Sequence, residues 1–115
     1  MIEDLGIDIL ICPSAPHCAF RISESDDLAT QAYYFLIWNL LNYPAGVVPI
    51  TEVTPEEEVG YDDRFNDIIT NKLRQSMQGS AGMPIGLQVV APKWEDEKCL
   101  AAMKILDDAV KYRKQ

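Results

Sequence analysis

The stretch Gly82-Met83-Pro84-Ile85-Gly86-Leu87-Gln88-Val89-Val90-Ala91-Pro92 constrains the fold more than any other part of the 115-residue chain. Pro84 biases Met83 towards extended backbone, and Gly82 and Gly86 admit tight local geometry. Residues 85–91 are a short, mostly apolar run bounded by turn residues, which predicts a buried strand. Pro92 closes that run. Glu95, Asp96 and Glu97 then open a helical pattern over 98–113, placing negative charge at the positive end of a helix. Cys99, Ala102, Met103, Leu106 and Val110 fall on one helical face, and Lys111, Arg113 and Lys114 favour its C-terminal end. Strand, tight connection and amphipathic helix define an α/β unit without specifying a reaction.

Earlier in the chain, Ile7–Cys12 reads as a strand ended by Pro13, followed by a polar, proline-containing connection. Ser25 or Asp26 is placed to cap a helix beginning near Leu28. From Leu28 to Leu41 apolar residues occupy nearly every angular position, so the helix is expected to pack on several sides. Asn42-Tyr43-Pro44 interrupts it, and Ala45–Thr51 is the next extended run, with Pro49 arguing against a central strand position. Phe65, Ile68, Ile69, Leu73 and Met77 approximate helical spacing and predict a helix over 63–76, with Asp62-Asp63 as its cap. Two or three strands interspersed with three helices suit a mixed α/β layer, in which any parallel pairing would need helical cover.

Composition narrows the function classes. A hydrophobic content of 48% supports an ordered core, and a net charge of −8 disfavours nucleic acid or an anionic bilayer as partner. Cys12, Cys18 and Cys99 make neither a disulfide framework nor a zinc motif, and are expected as buried thiols in a reducing, cytoplasmic setting. The apolar run at 32–41 is too short to span a membrane.

Residue types able to do chemistry lack the contexts that chemistry needs. Ser14 sits in a proline turn and Ser80 in a glycine turn, and neither lies in a Gly-x-Ser-x-Gly elbow. His17 has no partner defined by spacing and is expected at the surface. Glu56-Glu57-Glu58 lacks the alternating oxygen ligands of a calcium loop, and no phosphate-binding glycine loop is present. Tyr34, Trp38, Tyr43 and Trp94 suit either core packing or an acyl-chain wall.

Taken in order, these segments resemble the amidase-signature serine hydrolases, in particular their fatty-acid amide hydrolase branch. Gly82 to Gln88 resembles the family's late glycine-proline strand motif. Trp38-Asn39 through Pro44-Ala45-Gly46-Val47-Val48-Pro49 resembles the helix and strand before it. Thr51-Glu52-Val53-Thr54, the spacer from Tyr61 to Met77 and Trp94-Glu95-Asp96-Glu97-Lys98-Cys99-Leu100 resemble the fatty-acid branch, so the correspondence spans most of 7–107. The resemblance implies an α/β chain forming the C-terminal portion of the amidase-signature mixed-sheet fold, with flanking helices. Residues 1–115 are then one partial amidase domain without an internal boundary.

The family's Ser–Ser–Lys triad lies in a glycine- and serine-rich core that no stretch of this sequence matches. The resemblance therefore assigns no catalytic residue here, no metal and no cofactor. It implies substrate contact at Val47, Val48 and Trp94, and structural support from Asn39, Gly46, Gly82, Pro84 and Gly86. The expected partner is an upstream amidase catalytic core, in the parent chain or as a complementary polypeptide. A lipid amide is the expected substrate of the complete enzyme, the isolated chain being inactive. The parent is expected in the cytoplasm or peripheral to an intracellular membrane, and is compatible with a homodimer or with membrane association. The alternative is a truncated, noncatalytic structural or binding protein that associates through exposed hydrophobic surface.

Overall fold

Three of the extended runs meet in one sheet. The computed structural model of the chain describes residues 2–62 and 64–112. Leu10–Pro13 (β1), Ala45–Glu52 (β2) and Pro84–Val90 (β3) pair in the order β1-β3-β2. The glycine-proline strand is thus the central one, satisfied on both sides by its neighbours. Both pairings are antiparallel, Leu10 opposite Val90 on one side and Val47 opposite Gln88 on the other. Pro13 and Pro49, which lack an N–H, both lie on outer strands, where a missing donor does not break the ladder. A register shift between Pro49 and Thr51 accommodates the second of them.

The strand expected over Ile7–Cys12 starts later and includes Pro13. A 3-10 turn at Glu3–Leu5 ends on Gly6 in the left-handed region, and Ile7 N–H returns to Ile2 O, so the preceding residues are used in the turn. The long helix expected from Leu28 is also divided. A 3-10 turn at Ala29–Ala32 leads into α1, Tyr33–Leu41. Ser25 and Asp26 cap neither, because the polar run folds separately around Ile22–Glu24. There the Glu24 carboxylate accepts from Arg21 N–H (3.1 Å) and from Ser76 Oγ (2.8 Å).

The second helix, α2, runs Ile68–Met77 and is capped by Asp67, whose carboxylate accepts from Thr70 N–H (2.9 Å) and Thr70 Oγ1 (2.7 Å). Asp62 lies well before that cap, Phe65 precedes the helix, and Asp63 falls outside the described residues. The last helix, α3, runs Asp96–Val110 with Asp96 and Glu97 in its first turn, and ends where Lys111 turns left-handed. Arg113 and Lys114, expected at its end, are outside the described residues.

Successive strand residues face opposite sides, and the sheet is covered unequally. On one face Val48, Val89 and Ala91 pack with Cys99 of α3, joined by Met103 and Leu106. On the other, Val90 packs with Ile2 and Tyr43, joined by Leu10, Cys12, Trp38 and Leu41. Trp38 Nε1 donates to Gln88 Oε1 at 3.1 Å, which satisfies a polar side chain buried at the sheet centre. Trp38 and Tyr43 meet edge to face with centroids 6.3 Å apart, so two of the four candidate aromatics are packing residues.

Candidate functional site

The loop after β1 crosses the open end of the second face. Its Ser14 Oγ donates to Gly86 O (3.0 Å), which pins the proline turn to β3. Gly86 allows the approach of β2: a Cβ there would stand 2.6 Å from Val47 Cγ1. Two clefts of about 260 Å³ each border this loop and share Ala15, His17, Cys18 and Gly86. One continues over Val53, Tyr61, Met77 and Ile85, a mainly apolar lining. The other continues over Phe20, Gln31, Val47, Pro49 and Pro84.

The groups capable of nucleophilic chemistry are engaged in structure. Ser80 Oγ donates to Met77 O at 2.6 Å, closing its own turn, as Ser14 closes its loop on Gly86. Neither serine is hydrogen-bonded to a lysine or to His17 among the described residues. His17 is half-buried rather than at the surface, and its Nδ1 lies 2.8 Å from Cys18 O; a carbonyl only accepts, so Nδ1 carries the proton. All three cysteines are free, with Cys18 and Cys99 buried and Cys12 half-buried. Burial pushes each thiol upward, with a weaker opposing hydrogen bond from Ser80 at Cys18, and an undissociated thiol is a poor nucleophile.

Residues assigned to substrate contact are distributed over the molecule. Val47 lines the Gln31 cleft, whereas its neighbour Val48 faces the opposite side of the sheet, in the core under α3. Trp94 lies in the turn from β3 to α3, is 82% exposed and has a left-handed φ of 68°; it lines neither of these clefts. Among the supporting residues, Gly86 and Pro84 border the Gln31 cleft. Gly82 turns left-handed (φ 77°) and its N–H donates to Val53 O (2.9 Å). Gly46 makes room for Met103, whose Sδ would be 2.3 Å from a Cβ there. Asn39 O receives the Asn42 N–H that ends α1. Gln31 was not singled out from the sequence; its signal was a polar residue inside an apolar run.

The described part of the chain is thus a three-stranded sheet layer bearing two clefts, with Ser14 and Ser80 tied into turns and the thiols buried or half-buried. The comparisons identify the larger family. A model of the Amidase family matches residues 1–100. Fatty-acid amide hydrolase 1 of Sus scrofa is 34% identical over 103 residues, covering 87% of this chain and 18% of that protein. Fatty acid amide hydrolase 1 of Caenorhabditis elegans is 31% identical over 114 residues, covering 96% and 19%. An amidase of Gibberella moniliformis is 31% identical over 111 residues, covering 95% and 18%. The chain belongs to the Amidase family, and spans 18–19% of the length of these curated relatives. Among the described residues no helix is long and apolar enough to cross a membrane, and no three His, Cys, Asp or Glu side chains are grouped to hold a metal ion.

Proposed function

We propose that this chain is the C-terminal structural and substrate-wall segment of an amidase that hydrolyses carboxylic amides, fatty-acid amides in particular. The observation that carries the reading is the family match along residues 1–100, combined with relatives of that substrate class aligned over less than a fifth of their length. In this reading the nucleophile comes from the remainder of an amidase core, and the chain contributes Val47 and Trp94 towards the acyl passage, while Val48, buried under α3, supports the strand that carries Val47. The geometry at Trp94 supports such a role. A bulky residue with positive φ costs about 1–2 kcal/mol, and an exposed indole gains little packing to offset that cost.

The test is complementation. The chain is coexpressed with the Sus scrofa relative lacking its matching segment, and kcat/KM is measured on a short and a long acyl amide. The pair is expected to hydrolyse amides, with the chain alone inactive. In the pair, Trp94→Ala is expected to cost roughly tenfold more on the long substrate than on the short, equivalent to about 1.4 kcal/mol of transition-state binding. Turnover by the isolated chain that disappears in Ser14→Ala or Ser80→Ala would reverse the assignment of catalysis. Equal loss on both substrates, with a lowered Tm, would assign Trp94 to packing.

A second reading, a noncatalytic binding protein, draws on the exposed apolar side chains of α1. It predicts a stable complex with the complementary core but no gain of hydrolysis.

A further inference from the structure

We propose that residues 15–27 form a strap across the two clefts, hinged at Ser14 and Leu28 and latched to α2 by Arg21, Glu24 and Asp27. Release of the latch opens both clefts while the sheet stays folded. The inference goes beyond the amidase reading, because it concerns a movement of this chain alone and needs no catalytic residue. The strap supplies one wall of each cleft, Ala15 to Cys18 in the apolar one and Ala15 and His17 to Phe20 in the other. Its two ends are fixed. Ser14 Oγ is bonded to Gly86 O beside the paired residue Pro13, and Leu28 is 1% exposed. Between those anchors Cys18 is the one buried residue, Ile22 is 92% exposed, and no residue pairs with a strand. A segment that buries so little opens at lower cost than the core beside it.

What holds the strap down lies along α2 and its C-terminal end. Arg21 Nη2 donates to Gln78 O (2.8 Å), the carbonyl of the residue that caps α2, an acceptor without a partner inside the helix. Gly79 leaves room for that approach: it turns left-handed (φ 73°), and a Cβ there would stand 3.2 Å from Nη2. Arg21 Nη1 pairs with Glu24 Oε1 (3.3 Å), and Glu24 Oε2 accepts from Ser76 Oγ on α2 (2.8 Å). Asp27 continues the row through an ion pair with Lys72 of α2. The side chains of Arg21 and Asp27 are more than half exposed, and ion pairs that reach solvent are individually weak, so the row can part without the core following. Cys18 gives the movement a chemical signature. Its thiol is buried in the strap, whereas the equally buried Cys99 is held under α3 with its Sγ on Val89 O (3.5 Å).

The test is thiol exchange by alkylation. The full chain is treated with N-ethylmaleimide under native conditions, and the rate at each cysteine is divided by the rate of the same thiol in the urea-unfolded chain. Cys18 is expected to react at least tenfold faster than Cys99 on that scale. Urea below the unfolding transition should accelerate Cys99 but hardly Cys18, since a local opening exposes little new surface. Arg21→Gln and Glu24→Ala should each raise the Cys18 rate about tenfold, as loss of a charge-assisted hydrogen bond implies. Arg21→Gln, at an exposed position, supplies the folded variant if Glu24→Ala does not fold. Leu106→Ala, which weakens the α3 core away from the strap, should accelerate Cys99 and leave Cys18 unchanged. Cys18 reacting no faster than Cys99, or accelerated as much as Cys99 by Leu106→Ala, would mean that only global unfolding exposes it and would overturn the strap. A Cys18 rate unmoved by Arg21→Gln would overturn the latch.

Discussion

Gly86 and Gly46 both sit where another element comes too close for a Cβ, yet the two positions differ in what would have to move. At Gly46 the obstacle is the Sδ and Cε of Met103, the far end of an unbranched side chain that can swing aside. At Gly86 it is Val47 Cγ1 at 2.6 Å, on a β-branched side chain with few rotamers, backed by Val48 O at 3.4 Å. Neither glycine requires positive φ, so alanine also restricts the unfolded chain at both, a gain of about 0.4–1 kcal/mol. Gly46→Ala is therefore expected to leave stability within about 1 kcal/mol of wild type. Gly86→Ala should lose about 1–3 kcal/mol by overpacking, and lose less when Val47→Ala is present. Urea unfolding of the two single variants and the double variant measures both. Equal costs for the two alanines, or no rescue by Val47→Ala, would show that the β2–β3 approach is not what selects glycine. Glu3 shows a different kind of residue-scale constraint. Its own backbone N–H and that of Lys93 hold its carboxyl down at about 2, with a further hydrogen bond from Tyr43 O–H, so one exposed side chain ties the N-terminal turn to the β3–α3 connection.

At the scale of elements, α2 owes its start to one carboxylate. Thr70, through its hydroxyl and then its amide, holds the Asp67 carboxyl below the ordinary value of 3.8. A depressed folded value means that the cap's contribution is complete above the unfolded value and is lost as pH falls through the folded one. Amide exchange at residues 68–71, corrected for intrinsic rates, should therefore quicken only below about pH 4 in wild type, and be quick at every pH in Asp67→Ala. Exchange of that turn unchanged by Asp67→Ala would exclude the cap as its anchor. This cap also shows what local sequence could and could not convey. Residues 85–91 were legible as a buried strand because a continuous apolar run lay between Pro84 and Pro92, and the α3 face was legible from its spacing. The start of α2 was misplaced towards Asp62-Asp63 because Phe65 extends the helical period past the true cap. The beginning of the 28–41 helix was misplaced because Glu24 is held by Ser76, 52 residues away, a contact with no local signature. The clefts were hidden for the same reason. They are assembled from the 14–20 loop, Val47 to Pro49 and Pro84 to Gly86, brought together only by the β1-β3-β2 order.

For the whole molecule, the packing leaves much apolar surface uncovered. Its accessible area is 7783 Å² where a compact chain of 12.9 kDa exposes about 6,300 Å², and its radius of gyration is 15.7 Å against about 13 Å for a compact domain of 100 residues. The excess is more than the roughly 800 Å² that one partner contributes to a standard interface. Much of the uncovered apolar surface is on α1, none of whose residues is fully buried, with Tyr33 70% and Leu40 82% exposed. The sequence predicts a helix packed on several sides; among the described residues its Trp38 and Leu41 side packs on the sheet and none of its residues is fully buried. An apolar helix presented to water attracts other apolar surface, including that of another copy. The isolated chain is therefore expected to self-associate reversibly through α1, and Leu40→Glu should weaken that association roughly tenfold, about 1.4 kcal/mol, by placing a charge in the contact. Because Leu40 is so exposed, the same change should leave the midpoint of thermal unfolding, measured at concentrations where both are monomeric, within a degree or two of wild type, about 0.5 kcal/mol. Sedimentation velocity over a hundredfold concentration range, paired with calorimetry, separates the two effects. If α1 is the contact, adding the complementary amidase core should suppress self-association and slow amide exchange across 33–41 together. A wild-type chain that stays monomeric at the top of that range, or a Leu40→Glu chain that associates as strongly, would show that α1 is not the surface awaiting cover.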